Sequence, residues 1–238
     1  HIVEIGGTIG DIEGQGFVEA IRELGIKYGR ENCMYIHVVY IPYLGASKEF
    51  KTKPAQNAVK DLRNTGIVPD MILARSEKVA PDNTIDKLSL FCGVPKAAIA
   101  LLPNADTVYQ VPLTLEDNGS GDYITKRLGL GLLKSKNKSW RSFVDHVIAP
   151  KKKLYKVGMV AKYLDNEDSY FSVVEALKAA GWDNSADVQI EWIDAERLER
   201  SPRTVGKVLK SVDGIVVPGG FGNRGIEGKI LAADYALK

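Results

Sequence analysis

The chain has 238 residues, of which 45% are hydrophobic and 26% charged, and its formal net charge is +2 at pH 7. This composition is typical of an ordinary globular protein of one or two domains. The nearly neutral charge offers no broad electrostatic attraction for nucleic acid or a membrane surface, and no apolar run is long enough to span a bilayer. Cys33 and Cys92, the two cysteines, have neither disulfide nor zinc spacing, which indicates a reducing compartment. We therefore expect a cytoplasmic protein that partners with neither nucleic acid nor a membrane.

The first thirteen residues carry the densest candidate chemistry. The apolar run of residues 2–5 predicts a buried strand, which ends at two consecutive glycines. Glu4, Asp11 and Glu13 lie at or after the carboxyl end of this strand, where open α/β sheets bind ligands. Such carboxylates could hold Mg²⁺ against a nucleotide or accept hydrogen bonds from a base or sugar. The alternative is an acidic turn that precedes a helix.

Residues 1–130 continue as strands that alternate with helices. Buried strands are predicted at residues 33–43, 71–74 and 97–102, and the first of these reads as covered on both faces. Helices are predicted at residues 17–28, 54–62, 81–91 and 122–128, with Phe91 on the apolar face of the third. This alternation indicates an α/β fold with a doubly wound, mostly parallel sheet.

Residues 131–153 are basic and differ from what precedes them. The segment contains Lys134, Lys136 and Lys138 and the lysine run 151–153. Such a stretch is typical of a solvated connector, and Trp140 and Phe143 could fix it to a neighbouring surface. We expect an interdomain linker at residues 131–153, between a domain of residues 1–130 and a second of residues 154–238.

The second domain shows the same alternation of strands and helices. Strands are predicted at residues 155–161, 188–193 and 214–217, and helices at residues 169–181 and 205–212. Ser169 is the expected N-cap of the first of these helices and Gly181 its expected end. This pattern predicts a second α/β domain.

Three groups of residues add candidate chemistry. The first is Lys51, Thr52, Lys53, Pro54, Ala55 and Gln56. In an extended segment the two lysines share one side, and Pro54 opens a helix whose N-terminus adds backbone donors. Together these features predict a triphosphate clamp; the alternative is a basic surface loop.

The other two groups are shorter. Lys87 and Phe91 lie one helical turn apart, so an ammonium and an aromatic ring could meet one base or phosphate; the alternative places Phe91 in the core. The glycine-rich residues 218–222 follow a buried strand. Their backbone N–H groups could therefore stabilise an oxyanion.

Several long motifs occur in a fixed order. They are EIGGTIGDIE at residues 4–13, KTKPAQ at 51–56, VGMVAKY at 157–163, DSYFSVVEAL at 168–177 and PGGFGNRGIEG at 218–228. Together they resemble the CTP synthase family, the glutamine-dependent amidoligases that make CTP from UTP. The resemblance covers nearly the whole chain outside the basic segment, and motifs in order are far more specific than any one alone.

This resemblance implies a P-loop-type synthetase domain followed by an α/β domain like that of class I glutamine amidotransferases. In the family, ATP phosphorylates the uracil O4 and ammonia from glutamine displaces the phosphate. The resemblance also implies Mg²⁺ as cofactor, GTP as activator and CTP as feedback inhibitor. Self-association into homotetramers, and into filaments, is implied as well.

The same resemblance implies roles for individual residues. Glu4 would be a Mg²⁺ ligand between triphosphates. Product CTP would be contacted by Asp11, Ile12 and Glu13. UTP or CTP would be held, from a neighbouring subunit, by Lys51, Thr52, Lys53, Pro54, Ala55, Gln56, Lys87 and Phe91. ATP would be contacted at Pro103, Asn104 and Ala105, where some members have Lys-Asp-Val. Glutamine would be contacted by Gly220 and Phe221, beside the oxyanion hole, and GTP activation would involve Arg224, Gly225 and Glu227.

The sequence lacks some parts that the family needs for catalysis. It has no Gly-x-x-x-x-Gly-Lys-Ser/Thr phosphate loop and no nucleophilic cysteine with the His and Glu partners of a glutaminase. We therefore expect an internal piece of a longer protein, which spans the latter part of the synthetase domain and the start of the amidotransferase domain and does not catalyse by itself. Two other functions stay open: a different α/β nucleotide-binding ligase or ATPase, which would lack the loop at 218–228, and a structural, assembly-forming role.

Overall fold

The structure is a computed structural model that describes residues 1–131, 137–164 and 167–238. These residues form two compact units, His1–Ile148 and Ala149–Lys238. Lys134 and Lys136 of the predicted linker lie outside the described residues. None of the helices in the described part is long and apolar enough to cross a membrane.

A three-stranded parallel sheet forms the centre of the first unit. Its strands are β1 (Ile36–Tyr40), β4 (Met71–Ser76) and β5 (Ile99–Pro103), and a short antiparallel pair, β2 (Tyr43–Leu44) and β3 (Glu49–Phe50), follows β1. The strand order of the sheet is β1-β4-β5. The helices are α1 (Gln15–Tyr28), α2 (Lys53–Asn64), α3 (Asn83–Cys92), α4 (Val111–Asp117), α5 (Ser120–Arg127) and α6 (Lys138–Ile148). Single 3-10 turns lie at Ile12–Gly14, Lys96–Ala98 and Val108–Gln110.

The core of this unit forms around β4, which is buried on both faces. Met71, Ile72 and Ala74 are at most 1% exposed, and Val59 of α2 and Leu88 of α3 belong to the same apolar cluster. Successive side chains of a strand point to opposite faces, so a central strand needs apolar residues at consecutive positions. The predicted α/β class with a mostly parallel sheet is confirmed.

The strand predicted at residues 2–5 is absent. This segment has no strand hydrogen bonding, and Ile2 is 102% exposed and Val3 67% exposed. An apolar run supplies side chains for a sheet, but a strand also needs a neighbouring backbone to pair with its N–H and C=O groups. None of the described strands pairs with this segment, so that prediction is wrong.

The strand predicted at residues 33–43 is shorter than expected and is not covered on both faces. Strand hydrogen bonding is confined to β1, which pairs on one side with β4. Alternate side chains on one face of β1 stay exposed: Ile36, Val38 and Tyr40. An edge strand of this kind can be as apolar as a central one, which is why the sequence pattern did not distinguish them.

Residues 138–148, within the predicted linker, form α6. Trp140 Nε1 donates a hydrogen bond to Tyr109 O at 2.8 Å. The ring of Phe143 lies 5.4 Å from both the Tyr109 and the Trp140 ring. These aromatic contacts hold α6 within the first unit, and the linker and domain bounds taken from the sequence stay predictions.

The second unit is built around another three-stranded parallel sheet. Its strands are β6 (Lys153–Ala161), β7 (Ala186–Asp194) and β8 (Gly214–Val216), in the order β7-β6-β8. The helices are α7 (Phe171–Asp183), α8 (Ala195–Arg200), α9 (Val205–Leu209) and α10 (Ile226–Leu237), with 3-10 turns at Glu167–Tyr170 and Pro202–Thr204. Met159, Val160 and Ala161 at the end of β6 are fully buried, so this central strand is covered on both faces. The second α/β fold predicted from the sequence is confirmed.

The bounds of α7 differ from those predicted. Ser169 lies in the preceding 3-10 turn, and the N-cap position is Tyr170, which makes no side-chain capping bond. Gly181 lies inside the helix. A Cβ at this position would approach Val188 Cγ2 at 2.8 Å and Ala186 O at 2.9 Å, which explains why a glycine is needed there. Gly181 therefore allows α7 to pack closely on β7 and does not end the helix.

Candidate functional site

Hydrogen bonds within residues 4–13, the N-terminal loop, fix its shape. Thr8 N–H donates to Asp11 Oδ2 at 2.9 Å, and Asp11 N–H donates to Thr8 O at 3.0 Å. Ile5 and Ile9 anchor the loop, because both pack against an apolar cluster that includes Val18 of α1. The loop is therefore a defined structure although residues 2–5 form no strand.

The candidate ligands on this loop face solvent. Glu4, Asp11 and Glu13 are exposed, and Ile12 is 83% exposed. Among the residues that the structure describes, no three His, Cys, Asp or Glu side chains lie close enough to hold a metal ion. Mg²⁺ often takes one or two carboxylates and completes its coordination with phosphate oxygens and water. Glu4 fits that kind of site, in which most ligands come from a nucleotide.

Lys51 and Lys53 do not form the extended pair that the sequence predicts. β3 ends at Phe50, Thr52 has helical dihedral angles (φ −84°, ψ −10°), and Lys53 is the first residue of α2. Residues two apart share a side only in an extended chain, so this prediction is wrong. The helix start is confirmed, since Pro54 lies in its first turn.

The remaining residues of this segment support the helix start. Ala55 is 1% exposed and belongs to the apolar core. Gln56 Nε2 donates to Thr52 Oγ1 at 3.0 Å, and Gln56 N–H donates to Thr52 O at 3.0 Å. Ala55 thus packs α2 into the core and Gln56 stabilises the first turn of the helix, whereas Lys53 is exposed.

Glu49 pairs with one of the predicted lysines and senses the charge of a second. Its carboxylate accepts a hydrogen bond from Lys51 Nζ, and the two groups form a salt bridge. The pKa of the Glu49 carboxyl lies below its ordinary value, chiefly because of this hydrogen bond; Ser47 and the positive charge of Lys87 lower it further. Lys51 and Lys87, from separate elements, therefore lie near one carboxylate. Sequence reasoning missed Glu49, although an acid two residues before Lys51 was a signal for such a pair.

Lys87 and Phe91 share the exposed side of α3. Leu88 and Cys92 are fully buried, whereas Phe91 is 59% exposed and Lys87 is exposed. The prediction that Phe91 lies on the apolar face is wrong, because the side of α3 that packs into the core carries Leu88 and Cys92. Residues four apart lie on one side of a helix, so this ammonium and this ring are available to the same ligand.

The carboxyl ends of the strands in the first unit form one edge. Pro103 is the last paired residue of β5, and Asn104 N–H donates to Ser76 O at 2.9 Å, which places Asn104 and Ala105 directly after the β4–β5 pairing. At the same edge Tyr40 Oη donates to Glu77 Oε1 at 2.9 Å. Open α/β sheets bind ligands at this edge, which is where the predicted ATP contacts lie.

Lys162 and Tyr163, immediately after β6, contact the glycine loop of the second unit. Lys162 is 8% exposed, and its Nζ donates to Gly222 O at 2.6 Å and to Phe221 O at 3.2 Å. Tyr163 Oη donates to Phe221 O and accepts from Phe221 N–H, both at 3.2 Å. Both residues belong to the motif at 157–163, but nothing in the sequence indicates their contacts with the loop.

Lys229 of α10 contacts the other end of this loop. Its Nζ donates to Pro218 O at 2.7 Å. Partial burial, and then the positive charge of Lys162, hold the pKa of Lys229 below its ordinary value. A Cβ on Gly220 would lie 3.3 Å from Lys162 Cδ and 3.6 Å from Lys229 Nζ. Gly220 is therefore next to both lysine side chains, and its loop is electropositive.

The residues predicted to act with GTP follow the loop. Arg224 Nε lies 3.3 Å from Glu196 Oε1 of α8. Gly225 is the N-cap of α10 and has a φ of +66°, and Glu227 is exposed in the first turn of that helix. Arg224 is thus held by an acid of another element, which the sequence did not predict.

Comparison with known protein families identifies the chain. The family model described as CTP synthase N-terminus matches residues 1–130, more than half of the sequence. The chain belongs to the CTP synthase family. A second model, glutamine amidotransferase class-I, matches residues 164–238. The order of the two matches is the order expected from the sequence, a synthetase domain followed by an amidotransferase domain.

Curated relatives agree over almost the whole chain. CTP synthases of Roseiflexus castenholzii and Caldanaerobacter subterraneus subsp. tengcongensis are each 49% identical to it over 235 residues, which is 99% of this chain. The CTP synthase of Ruminiclostridium cellulolyticum is 47% identical over the same share. The chain spans about two fifths of the length of these relatives, 42%, 43% and 43% respectively.

Proposed function

We propose that the full-length protein is a ligase that aminates UTP to CTP with ATP and with ammonia released from glutamine. The observation that carries this proposal is the succession of the two family matches in one chain, CTP synthase N-terminus and then glutamine amidotransferase class-I. Glutamine-fed amination needs one unit to activate the acceptor and another to release ammonia. The relatives named CTP synthase, aligned over 99% of the chain, support the same function.

The pyrimidine nucleotide would bind on the first unit. Lys51 and Lys87, near Glu49, supply positive charge for a triphosphate, and the exposed ring of Phe91 supplies a surface for the base. The other contacts assigned to this nucleotide are Thr52, Lys53, Pro54, Ala55 and Gln56, at the start of α2. Bound CTP would also be contacted by Asp11, Ile12 and Glu13, and would act there as feedback inhibitor.

ATP and a metal ion would complete the first reaction. Residues 103–105 would contact ATP at the carboxyl edge of the sheet, and Glu4 would be the Mg²⁺ ligand. When bound, Mg²⁺ neutralises charge on the transferring phosphoryl group. The lysines orient the acceptor triphosphate, so that its base is held for attack and not displaced by charge repulsion between the two nucleotides.

Glutamine would bind at the loop of residues 218–222. Gly220 and Phe221 are the assigned contacts, and the backbone N–H groups of a glycine loop can stabilise the oxyanion that forms when an amide is attacked. Arg224, Gly225 and Glu227, directly after this loop, are assigned to activation by GTP. The electropositive surroundings of Gly220 support a site for developing negative charge.

Self-association into homotetramers and filaments, and a cytoplasmic location, complete the proposal. The two cysteines, both free thiols, support a reducing compartment. A different nucleotide-binding ligase or ATPase is less well supported, because such a protein would lack the amidotransferase match. A purely structural role is disfavoured by the same match.

The direct test is turnover by the full-length protein. We expect CTP to form from UTP when ATP, Mg²⁺ and glutamine are all present, and also when ammonia replaces glutamine. GTP should accelerate the glutamine-dependent reaction and not the ammonia-dependent one. Hydrolysis of glutamine or ATP without any CTP would contradict the proposal.

A further inference from the structure

The Tyr163 hydroxyl binds both polar backbone atoms of Phe221. It accepts a hydrogen bond from Phe221 N–H and donates one to Phe221 O, each at 3.2 Å. A phenolic hydroxyl has one proton to donate and can accept as well, so a single side chain satisfies this backbone pair. The Phe221 ring is 95% exposed, so burial of the side chain does not fix the residue, and these backbone bonds take that role.

Tyr163 is itself held in place by Tyr170. The N–H groups of Lys162 and Tyr163 both donate to Tyr170 Oη, at 3.1 and 3.3 Å. Tyr170 is 3% exposed, and its ring stacks on that of Tyr163 with centroids 6.2 Å apart. The ring centroid of Trp192 of β7 lies 5.9 Å from that of Tyr170. The hydroxyl that contacts the loop therefore projects from a packed aromatic base.

These contacts determine which backbone donors the loop can offer. Because Tyr163 occupies the Phe221 N–H, that amide is not available to a ligand, and the peptide group between Gly220 and Phe221 is held in one orientation. Lys162 Nζ fixes the next carbonyl, Gly222 O, at 2.6 Å. Lys229 Nζ fixes Pro218 O at the start of the loop, at 2.7 Å. The loop is thus held at its ends and at Phe221, with Gly220 between these points.

We propose that Tyr163 is a positioning residue for glutamine hydrolysis: its hydroxyl fixes the Gly220–Phe221 peptide group and so limits the ψ angle of Gly220, whose own N–H, in the preceding peptide group, would donate to the substrate amide. This inference rests on the proposed function. It assigns the hydroxyl no contact with substrate. Its effect is on the orientation of donors that stabilise the transition state, and such donors act mainly on kcat.

The test compares Tyr163→Phe with wild type in the full-length protein. This variant keeps the ring that stacks on Tyr170 and removes only the hydroxyl. We expect kcat for glutamine hydrolysis to fall about tenfold, with KM for glutamine within about twofold, because a misdirected donor weakens transition-state binding more than ground-state binding. CTP formation from ammonia should be unchanged. Tyr155→Phe, which removes a hydroxyl from an exposed tyrosine of β6, is the matched control and should match wild type in every assay.

Hydrogen–deuterium exchange resolved to single residues gives a readout that does not depend on activity. In wild type, the Phe221 amide should exchange at least about tenfold more slowly than the Gly220 amide, because only the former is bonded to Tyr163. Tyr163→Phe should abolish that difference. If the variant fails to fold, the wild-type comparison decides, and equal exchange at the two amides overturns the proposal.

The outcomes separate this inference from the function on which it rests. A wild-type enzyme without glutamine hydrolysis would overturn the proposed function, while exchange at Phe221 would still decide whether Tyr163 holds the loop. A folded Tyr163→Phe variant with wild-type kcat for glutamine would overturn the positioning role. Equal loss of the ammonia-dependent reaction would do so too, because it would show general damage and not a misplaced donor.

Discussion

At the scale of single residues, Glu49 affects how much positive charge Lys51 and Lys87 offer to a triphosphate. Its carboxylate is bonded to Lys51 and lies within the field of Lys87. Without a ligand, this acid offsets part of the positive charge and holds Lys51 in one place. A triphosphate brings several negative charges and charge-assisted hydrogen bonds, so it can compete for the same ammonium groups.

Replacement of Lys51 tests this site directly. We expect Lys51→Ala in the full-length enzyme to raise KM for UTP about tenfold or more, because one charge-assisted hydrogen bond is worth about 1.5–3 kcal/mol. Lys53→Ala should raise it too, but less, since Lys53 lies in the exposed first turn of α2. Steady-state kinetics with varied UTP provide the measurement. Lys60→Ala, on the exposed side of the same helix, is the control and should keep the wild-type KM. A wild-type KM in both Lys51→Ala and Lys53→Ala would count against the clamp.

His37 makes the stability of the first unit depend on pH. Its Nδ1 is buried without a hydrogen-bond partner, and burial holds the pKa of the imidazole below its ordinary value of 6.5. The unfolded chain therefore binds the proton more tightly than the folded chain. The stabilisation from neutral His37 is fully present above pH 6.5 and is lost as the pH falls through the lower, folded-state pKa.

Chemical denaturation at a series of pH values measures this effect. We expect the free energy of unfolding to decrease between pH 7.5 and pH 5, and His37→Gln to flatten that decrease because the side chain no longer titrates. A slope that is the same in the His37 variant would show that other groups cause it.

At the scale of elements, Asp70 joins segments that meet at the amino end of β4. Its Oδ1 accepts from Arg30 at 2.9 Å and from Arg127 of α5 at 3.0 Å, and its Oδ2 accepts from Tyr35 N–H at 2.8 Å. The Asp70 side chain is only 11% exposed. The two arginines come from distant parts of the sequence, so this one carboxylate fixes the approach to β1 and the position of α5.

Loss of the Asp70 charge should be costly. We expect Asp70→Asn to lower the free energy of unfolding by about 2–4 kcal/mol, because removal of one partner leaves the others poorly compensated in a partly buried site. Urea unfolding measures this change. Asp86→Asn breaks an ion pair with Lys96 whose side chains are 59% and 67% exposed, and should cost less than about 1 kcal/mol. Similar costs for the two variants would contradict the role of burial.

Among the elements, strand pairing was the hardest feature to predict. The pattern of residues 71–74 correctly predicts a buried strand, because a central strand needs apolar residues on both faces. Residues 155–161 form the predicted strand, and its last three residues are fully buried. Three of the four residues 2–5 are also apolar, yet no strand forms there, since pairing depends on a neighbour that the run does not specify. The exposed face of β1 has the same origin, because side-chain pattern does not report how many neighbours a strand has.

At the scale of the whole molecule, the two candidate sites lie in separate compact units. Lys51, Lys87 and the loop of Glu4 belong to the first, and the glycine loop of residues 218–222 to the second. The proposed reaction couples them through ammonia. Substitutions should therefore separate the two half-reactions according to the unit they fall in.

Glu4 offers the sharpest case. We expect Glu4→Ala in the full-length enzyme to reduce CTP formation at least about a hundredfold, because a Mg²⁺ ligand between triphosphates is lost. Glutamine hydrolysis should stay within about twofold of wild type, since its residues lie in the other unit. Parallel assays of both activities provide the measurement. Glu23→Ala, at an exposed position of α1, is the control. Equal loss of both activities would indicate unfolding and not loss of a metal ligand.

The sequence by itself determined the α/β class, most helices and central strands, and membership of the CTP synthase family. It did so because hydrophobic periodicity and long motifs are local properties of a chain. Only the tertiary structure decided that residues 2–5 lack a strand partner, that Phe91 faces outward, and that Glu49 pairs with Lys51 within reach of the charge of Lys87. It alone placed Tyr163 and Lys162 on a loop about sixty residues further along. Contacts of this kind depend on how distant segments pack, and no local pattern encodes that.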